Sequence, residues 1–148
     1  METNTSPQSP LPPPAALTPS EERTLAMLAH LSILLNLITG ILGPVGALVV
    51  YLVYQERSRY VSYHALQSLI FQLIVWLGGG ALAALAWAIT AILSVIVVGI
   101  FCIPFALLVS LIPVGGLIYG VVGGIQCSQG RDFRYCLVGD WVRGMLTG

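Results

Sequence analysis

The sequence predicts an all-α, polytopic integral membrane protein, a helical bundle of about four hydrophobic helices whose first two pair as a shallow hairpin. Three observations predict it. Apolar residues make up 57% of the 148-residue chain and charged residues only 8%, against about 25% charged in an ordinary soluble domain. Apart from Glu2, the charges fall in three clusters: Glu21, Glu22 and Arg23; Glu56, Arg57 and Arg59; and Arg131, Asp132, Arg134, Asp140 and Arg143. Between the clusters run 32 and then 71 residues without a formal charge. About 20 apolar residues cross ~30 Å of hydrocarbon, so lipid is the expected solvent around both runs.

Composition also excludes some functions. Six basic residues balance six acidic ones, and every base is Arg, so a basic nucleic-acid binder is excluded. Three Cys do not make a disulfide framework.

Residues 1–20 hold six of the nine Pro and read as a disordered, Pro-rich cytoplasmic tail. Pro10-x-x-Pro13 reads better as solvated linker than as a docking ligand. The segment lacks the basic n-region of a secretory signal and the Arg-rich character of a transit peptide. At its end Thr18-Pro19-Ser20-Glu21-Glu22 reads as a helix start, with Ser20 as cap and two acids in the first turn.

The 32-residue run is long for one span and short for two. Gly40, Gly43 and Pro44 interrupt it, and Pro disfavours helical geometry in the residue before it. A single kinked span fits; so does a hairpin turning at Gly40–Pro44 over helices near 21–38 and 42–56. Only the hairpin keeps all six Arg on the cytoplasmic side, so the charge pattern favours it. Its turn would lie at membrane depth and would need protein or a water-filled cavity over it.

The 71-residue run divides into two spans, near 62–96 and 103–127, with an uncharged turn at 98–104. Two crossings return Arg57 and Arg59 to the side of Arg131, Arg134 and Arg143; three would separate them. The first span is long, so tilt or a kink at Gly78-Gly79-Gly80 is expected. Tyr51, Tyr54, Tyr60, Tyr63, Tyr135 and Trp141 flank the charge clusters as an interfacial belt would. Trp76 falls at mid-depth, where its indole N–H needs a protein partner.

Polar residues inside the spans carry most of the remaining information, because each costs desolvation unless partnered. On the third helix His64, Gln67, Ser68, Phe71, Gln72 and Val75 share one face. The first presents Glu22, Ala26, Ala29, Ser32, Asn36 and Gly40. His30 and His64 lie ~7–10 Å below their nearest Arg. An intramembrane polar cluster of His30, Asn36, His64, Gln67 and Gln72 fits a polar cavity or relay. It also fits ordinary interhelical hydrogen bonding, worth ~0.6 kcal/mol per contact, and that is the commoner use.

Gly116, Gly120 and Gly124 form two linked GxxxG units on the fourth helix, and Gly80 and Ala84 begin a small-residue stripe on the third. Both are helix-packing candidates. Depth places Gly120 opposite the region of Gln72, so the groove would receive the third helix's polar face or a second copy of the chain. No catalytic motif appears: there is no G-x-S-x-G, H-E-x-x-H or phosphate loop. The acids lie outside the spans, so no carboxylate pair serves acid–base work there. Neither enzyme activity nor cofactor is expected, and Cys102, Cys127 and Cys136 lack C-x-x-C spacing; a metal site of two His and a Cys is conceivable, but the ligand spacing is not that of a known site, so none is expected. Cys is often a small buried hydrophobe.

Several segments together carry a resemblance. They are Arg23-Thr-Leu-Ala-Met-Leu-Ala-His30-Leu, Leu42-Gly43-Pro44, Tyr54-Gln-Glu-Arg-Ser58 with Val61 and His64, Phe71-Gln72, and Gly130-Arg-Asp-Phe-Arg-Tyr135. Over about residues 21–143 the chain resembles Tic-twenty-like bacterial membrane proteins, which carry a domain of unknown function related to the chloroplast inner-envelope translocon component. It departs from their pattern at Ile70, before Phe71-Gln72, and at Cys136. The resemblance implies a four-helix domain over 21–143 in the bacterial inner membrane, followed by a tail at 144–148.

These readings converge on a multi-pass protein of the plasma or inner membrane with both termini cytoplasmic. The expected role is a non-enzymatic scaffold or subunit of a membrane complex, its partners being the lipid bilayer and a second copy or other membrane proteins. The alternative is a pore or translocation element lined by the polar cluster.

Overall fold

The computed structural model describes residues 16–136 and 138–147; most of the expected Pro-rich tail, residues 1–15, lies outside them. Every regular element among the described residues is helical. α1 (Pro19–Leu31) continues through a 3-10 turn (Ser32–Leu35) and a last helical turn (Asn36–Thr39). α2 spans Leu42–Tyr54, α3 Arg59–Ser94, α4 Gly99–Ser128 and α5 Gly139–Thr147.

α1 begins one residue before Ser20, and its cap is Thr18 rather than Ser20. Thr18 Oγ1 accepts the Glu21 N–H, and the Glu21 carboxylate accepts the Thr18 N–H at 2.7 Å. The reason is Pro19: it fits the first helical turn, where its missing N–H costs nothing, and so moves the cap upstream. The chain reverses at Gly40, whose φ of 78° closes the turn in the left-handed region open to glycine. α2 then runs back along 32–39. A Cβ on Gly43 would sit 2.5 Å from Asn36 Nδ2, and one on Gly46 2.9 Å from Ser32 Cβ. Small residues allow this approach, and Asn36 Oδ1 accepts the Gly43 N–H at 2.8 Å.

α3 and α4 are long and apolar enough to cross a membrane, at about 54 and 45 Å of helix. α3 widens into a π-helical stretch at Leu73–Gly78, which ends on the first residue of the glycine run where helix propensity is weakest. There Trp76 Nε1 donates to the Gly40 carbonyl at 2.6 Å, so the α1–α2 turn supplies its partner. The turn between the long helices falls at 95–98, earlier than the expected 98–104. Gly99 causes the shift: its missing Cβ leaves room for the Thr90 carbonyl and Ser94 to close beside it, and Pro104 is carried inside α4.

Packing is uneven. Ala26, Ile33, Phe71, Cys127, Phe133, Tyr135 and Val138 form the core at one end, where α1, α3, α4 and the segment after α4 meet. Toward the 95–98 turn only Gly79, Thr90, Gly99 and Ala106 are buried, while Ile92, Phe101 and Phe105 face outward. An apolar exterior of this extent suits lipid and not water.

The glycine groove receives something other than expected. Gly116 faces Val75 and Phe71 of α3, but Gly120 faces Ile33 and Gly124 faces Leu31 and the Met27 carbonyl, so α1 and its extension fill most of the groove. α1 enters between α3 and α4 at this depth, which a pairwise depth argument omits. Gly80 is open, with nothing within 4 Å of where a methyl would stand, and Ala84 is exposed; Gly79 instead meets Ile112 and Pro113. The π-helical stretch turns the following residues off the face that ideal periodicity assigns them.

The charge clusters meet at the core end. Ser58 Oγ donates to Glu22 Oε1 at 2.6 Å, Arg59 donates to the Leu146 carbonyl at 2.9 Å, and Arg143 pairs with Asp132 at 2.6 Å. Residues 144–147, expected as tail, are the last turn of α5. That short helix carries Asp140 and Arg143 on its outer side and buries Val142 against the core. Two residues expected in an interfacial belt turn inward: Tyr63 is 7% exposed and Tyr135 1% exposed.

Candidate functional site

Four chain segments build the site. α1 contributes His30; α3 contributes His64, Gln67, Ser68 and Gln72; α4 contributes Cys127; and the extended segment after α4 contributes Phe133 and Tyr135. Alternation in that segment sends Phe133 and Tyr135 inward and Asp132 and Arg134 outward, the period of an extended chain.

His30 is central. Its Nδ1 pairs with the Tyr135 hydroxyl at 3.0 Å and its Nε2 lies 3.3 Å from His64 Nδ1. The same His64 nitrogen lies 3.4 Å from Cys127 Sγ. His30, His64 and Cys127 are wholly buried, and one donor atom from each lies within 4.8 Å of the others. They come from three helices, so their spacing in the sequence carries no ligand motif and points to no metal.

Gln67 uses both ends of its amide. Nε2 donates to the Phe133 carbonyl at 3.1 Å, while Oε1 accepts the Tyr63 hydroxyl at 3.0 Å and the Tyr135 N–H at 3.2 Å. One side chain of α3 thereby fixes the segment that carries Tyr135. The Tyr135 ring stacks on Phe71 with centroids 3.7 Å apart and planes 5° from parallel. Burial above all, with the neighbouring Cys127 next, holds the Tyr135 hydroxyl well above its ordinary pKa, so it stays protonated.

A second set lies deeper. Ser68 donates to the Ala29 carbonyl at 2.7 Å, and Gln72 Nε2 donates to Ser32 and Ser68 at 3.0 and 2.9 Å. Asn36 joins through Gly43. Two buried atoms here, Asn36 Nδ2 and Gln72 Oε1, lack hydrogen-bond partners. Both flank Gly43, a donor facing an acceptor's neighbourhood.

Of the five residues singled out from the sequence, the structure brings His30, His64 and Gln67 together around Tyr135 and sets Asn36 and Gln72 one layer deeper. Sequence reasoning missed Tyr135 and Phe133, placed Ser68 on the shared face without counting it in the cluster, and set aside a metal site of two His and a Cys in favour of reading Cys127 as a small hydrophobe. The alternation Phe133-x-Tyr135 was the available signal for the first two. For Cys127 there was none, since its neighbours lie 63 and 97 positions away.

A model of the magnetosome magnetite crystal formation protein family (MamF/MmsF) matches residues 21–142. The chain belongs to this family. The match overturns the Tic-twenty-like resemblance. No curated protein and no solved structure matches the chain.

Proposed function

We propose that this chain is a multi-pass, non-enzymatic protein of the magnetosome membrane that serves magnetite crystal formation as a scaffold or subunit of a membrane complex. In this reading α3 and α4 cross the bilayer. α1 and α2 enter and leave from the cytoplasmic side, where both termini and all six Arg lie. Membership of the family supports the setting. The meeting of the three charge clusters at one end supports the orientation, because Arg collects on the cytoplasmic side.

One observation carries the scaffold reading: His30, Asn36, His64, Gln67 and Gln72 are 0–2% exposed and bond to protein, while the outer faces of α2, α3 and α4 are apolar. Interhelical bonding of this kind holds a bundle together. The pore alternative is left without support, because a lining residue must face water.

Two experiments test the reading. In a magnetite-forming host, deleting the gene should change crystal size or number, and the full chain should restore it; unchanged crystals would overturn the role. Single cysteines replacing Gln55 and Gln129 should label from the cytoplasm and one replacing Val97 should not. Labelling of Gln55→Cys and Gln129→Cys from opposite sides would overturn the topology.

A further inference from the structure

We propose that His30, His64 and Cys127 form a binding site for one divalent transition-metal cation of zinc-like preference, roofed by Tyr60. The inference rests on these side chains alone and stands apart from the role in crystal formation.

The geometry comes first. A tetrahedral ion with bonds of ~2.0–2.1 Å to nitrogen and ~2.3 Å to sulfur holds its ligand atoms roughly 3.3–3.6 Å apart. His30 Nε2 to His64 Nδ1 is 3.3 Å, and His64 Nδ1 to Cys127 Sγ is 3.4 Å. Two edges of the coordination polyhedron therefore exist already, and one ligand atom from each of the three residues lies within 4.8 Å of the others.

The supporting contacts suit a metal ligand. A ligating imidazole commonly donates its other N–H to an oxygen, which fixes tautomer and ring orientation. His30 has such a partner in the Tyr135 hydroxyl at 3.0 Å. Donation from Nδ1 leaves the Nε2 lone pair on the side of His64 Nδ1, 3.3 Å away. Protons alone serve the cluster less well. His64 Nδ1 offers either one lone pair or one N–H to two short neighbours, so a single hydrogen bond satisfies one contact and not both. A cation among the three atoms satisfies them together.

Access and the fourth position fall to Tyr60. Its ring packs on His64 at 4.5 Å between centroids. Its hydroxyl is buried beside Cys127 without a hydrogen bond of good geometry. The same residue lines a surface cavity of about 200 Å³ with Glu22, Arg23 and Gly130. Tyr60 thus borders both the cavity and the site. His64 lies five residues past Arg59, about 8 Å along the helix, so the approach comes from the charged end and not through hydrocarbon.

Donor chemistry sets the class of ion. Two imidazoles and a thiolate suit Zn²⁺ or Co²⁺ and disfavour Mg²⁺ and Ca²⁺, which require oxygen. On binding, the Cys127 S–H proton leaves to water as the sulfur–metal bond forms, and no electron is transferred.

The test uses the full chain, purified in detergent and stripped with chelator, with Cys102→Ala and Cys136→Ala so that Cys127 is the only thiol. Co²⁺ titration should give one equivalent bound, with visible bands of tetrahedral cobalt and a thiolate-to-cobalt charge-transfer band, all bleached by Zn²⁺. Cys127→Ser, nearly isosteric, should keep the helical circular dichroism and lose the charge-transfer band. Tyr135→Phe should weaken Co²⁺ binding about 10- to 100-fold. A natively helical protein that yields no cobalt bands would overturn the proposal, as would bands that persist unchanged in Cys127→Ser.

Discussion

His30 and Tyr135 are 105 residues apart in the chain, yet His30 Nδ1 and the Tyr135 hydroxyl are 3.0 Å apart with both side chains buried. This contact ties the first helix to the segment that follows the last long one. It gives the membrane-embedded bundle a closure that helix packing alone does not supply.

Removing that hydroxyl should be costly out of proportion to its size. Tyr135→Phe keeps the stack on Phe71 but leaves a buried imidazole nitrogen unpaired, which costs about 1–3 kcal/mol. Tyr135→Ala also removes the ring and should cost about 3–5 kcal/mol. Thermal or denaturant unfolding in detergent, with wild type and both variants in parallel, checks the order. Equal stability of Tyr135→Phe and wild type would mean that the contact contributes nothing.

Adjacent glycines on α4 should respond in opposite ways. A methyl on Gly116 would meet the stiff Val75 side chain, whereas one on Gly115 meets nothing within 4 Å. Gly116→Ala should therefore destabilise by about 1–3 kcal/mol through overpacking. Gly115→Ala should stabilise by roughly 0.5–1 kcal/mol through helix propensity. Melting curves of the two single variants decide it, and a shift of the same sign in both would refute the packing described.

Glu21 gives a pH-dependent test. The Thr18 backbone N–H, and then its side chain, hold the Glu21 carboxyl below its ordinary value. A group whose folded pKa is depressed contributes stability that is complete above its unfolded value, near 4.5. That contribution is lost as pH falls through the lower, folded value. Glu21→Ala should therefore melt below wild type at neutral pH, and the gap should close in acid below the folded value. A gap independent of pH would show that the capping carboxylate is not its source.

Val97 holds a φ of 69° in the turn between the long helices, where a β-branched residue is strained. Val97→Gly should relieve about 1–2 kcal/mol and raise the melting temperature without altering helicity. A lower melting temperature would indicate that the apolar side chain at the turn contributes more than its backbone strain costs.

The membrane setting was legible from composition and charge clustering, because an apolar run between charges has a single comfortable solvent. A break near Gly40 and the two long helices were legible too, since glycine, proline and segment length act locally, whereas the choice of a reversal over a kinked span rested on the charge pattern. The C-terminal helix was not: Asp140 to Leu146 is short and mixed in character, and it is held by Val142 against the core and by Arg59 reaching the Leu146 carbonyl. The family was misread because the resemblance rested on a few short segments, whereas the matching family model runs over residues 21–142.

His30, His64, Gln67 and Gln72 were visible as polar residues that lipid would not tolerate alone, and that much is a property of each residue with its surroundings. Their partners were a matter of tertiary structure. Which side chains meet at Tyr135 and Cys127 depends on how α1 enters between α3 and α4 and on how Gln67 fixes residues 133–135. Desolvation is a local cost, felt wherever a polar group sits. A hydrogen bond or a metal site needs atoms from distant parts of the chain within about 3 Å, and only the folded chain sets that distance.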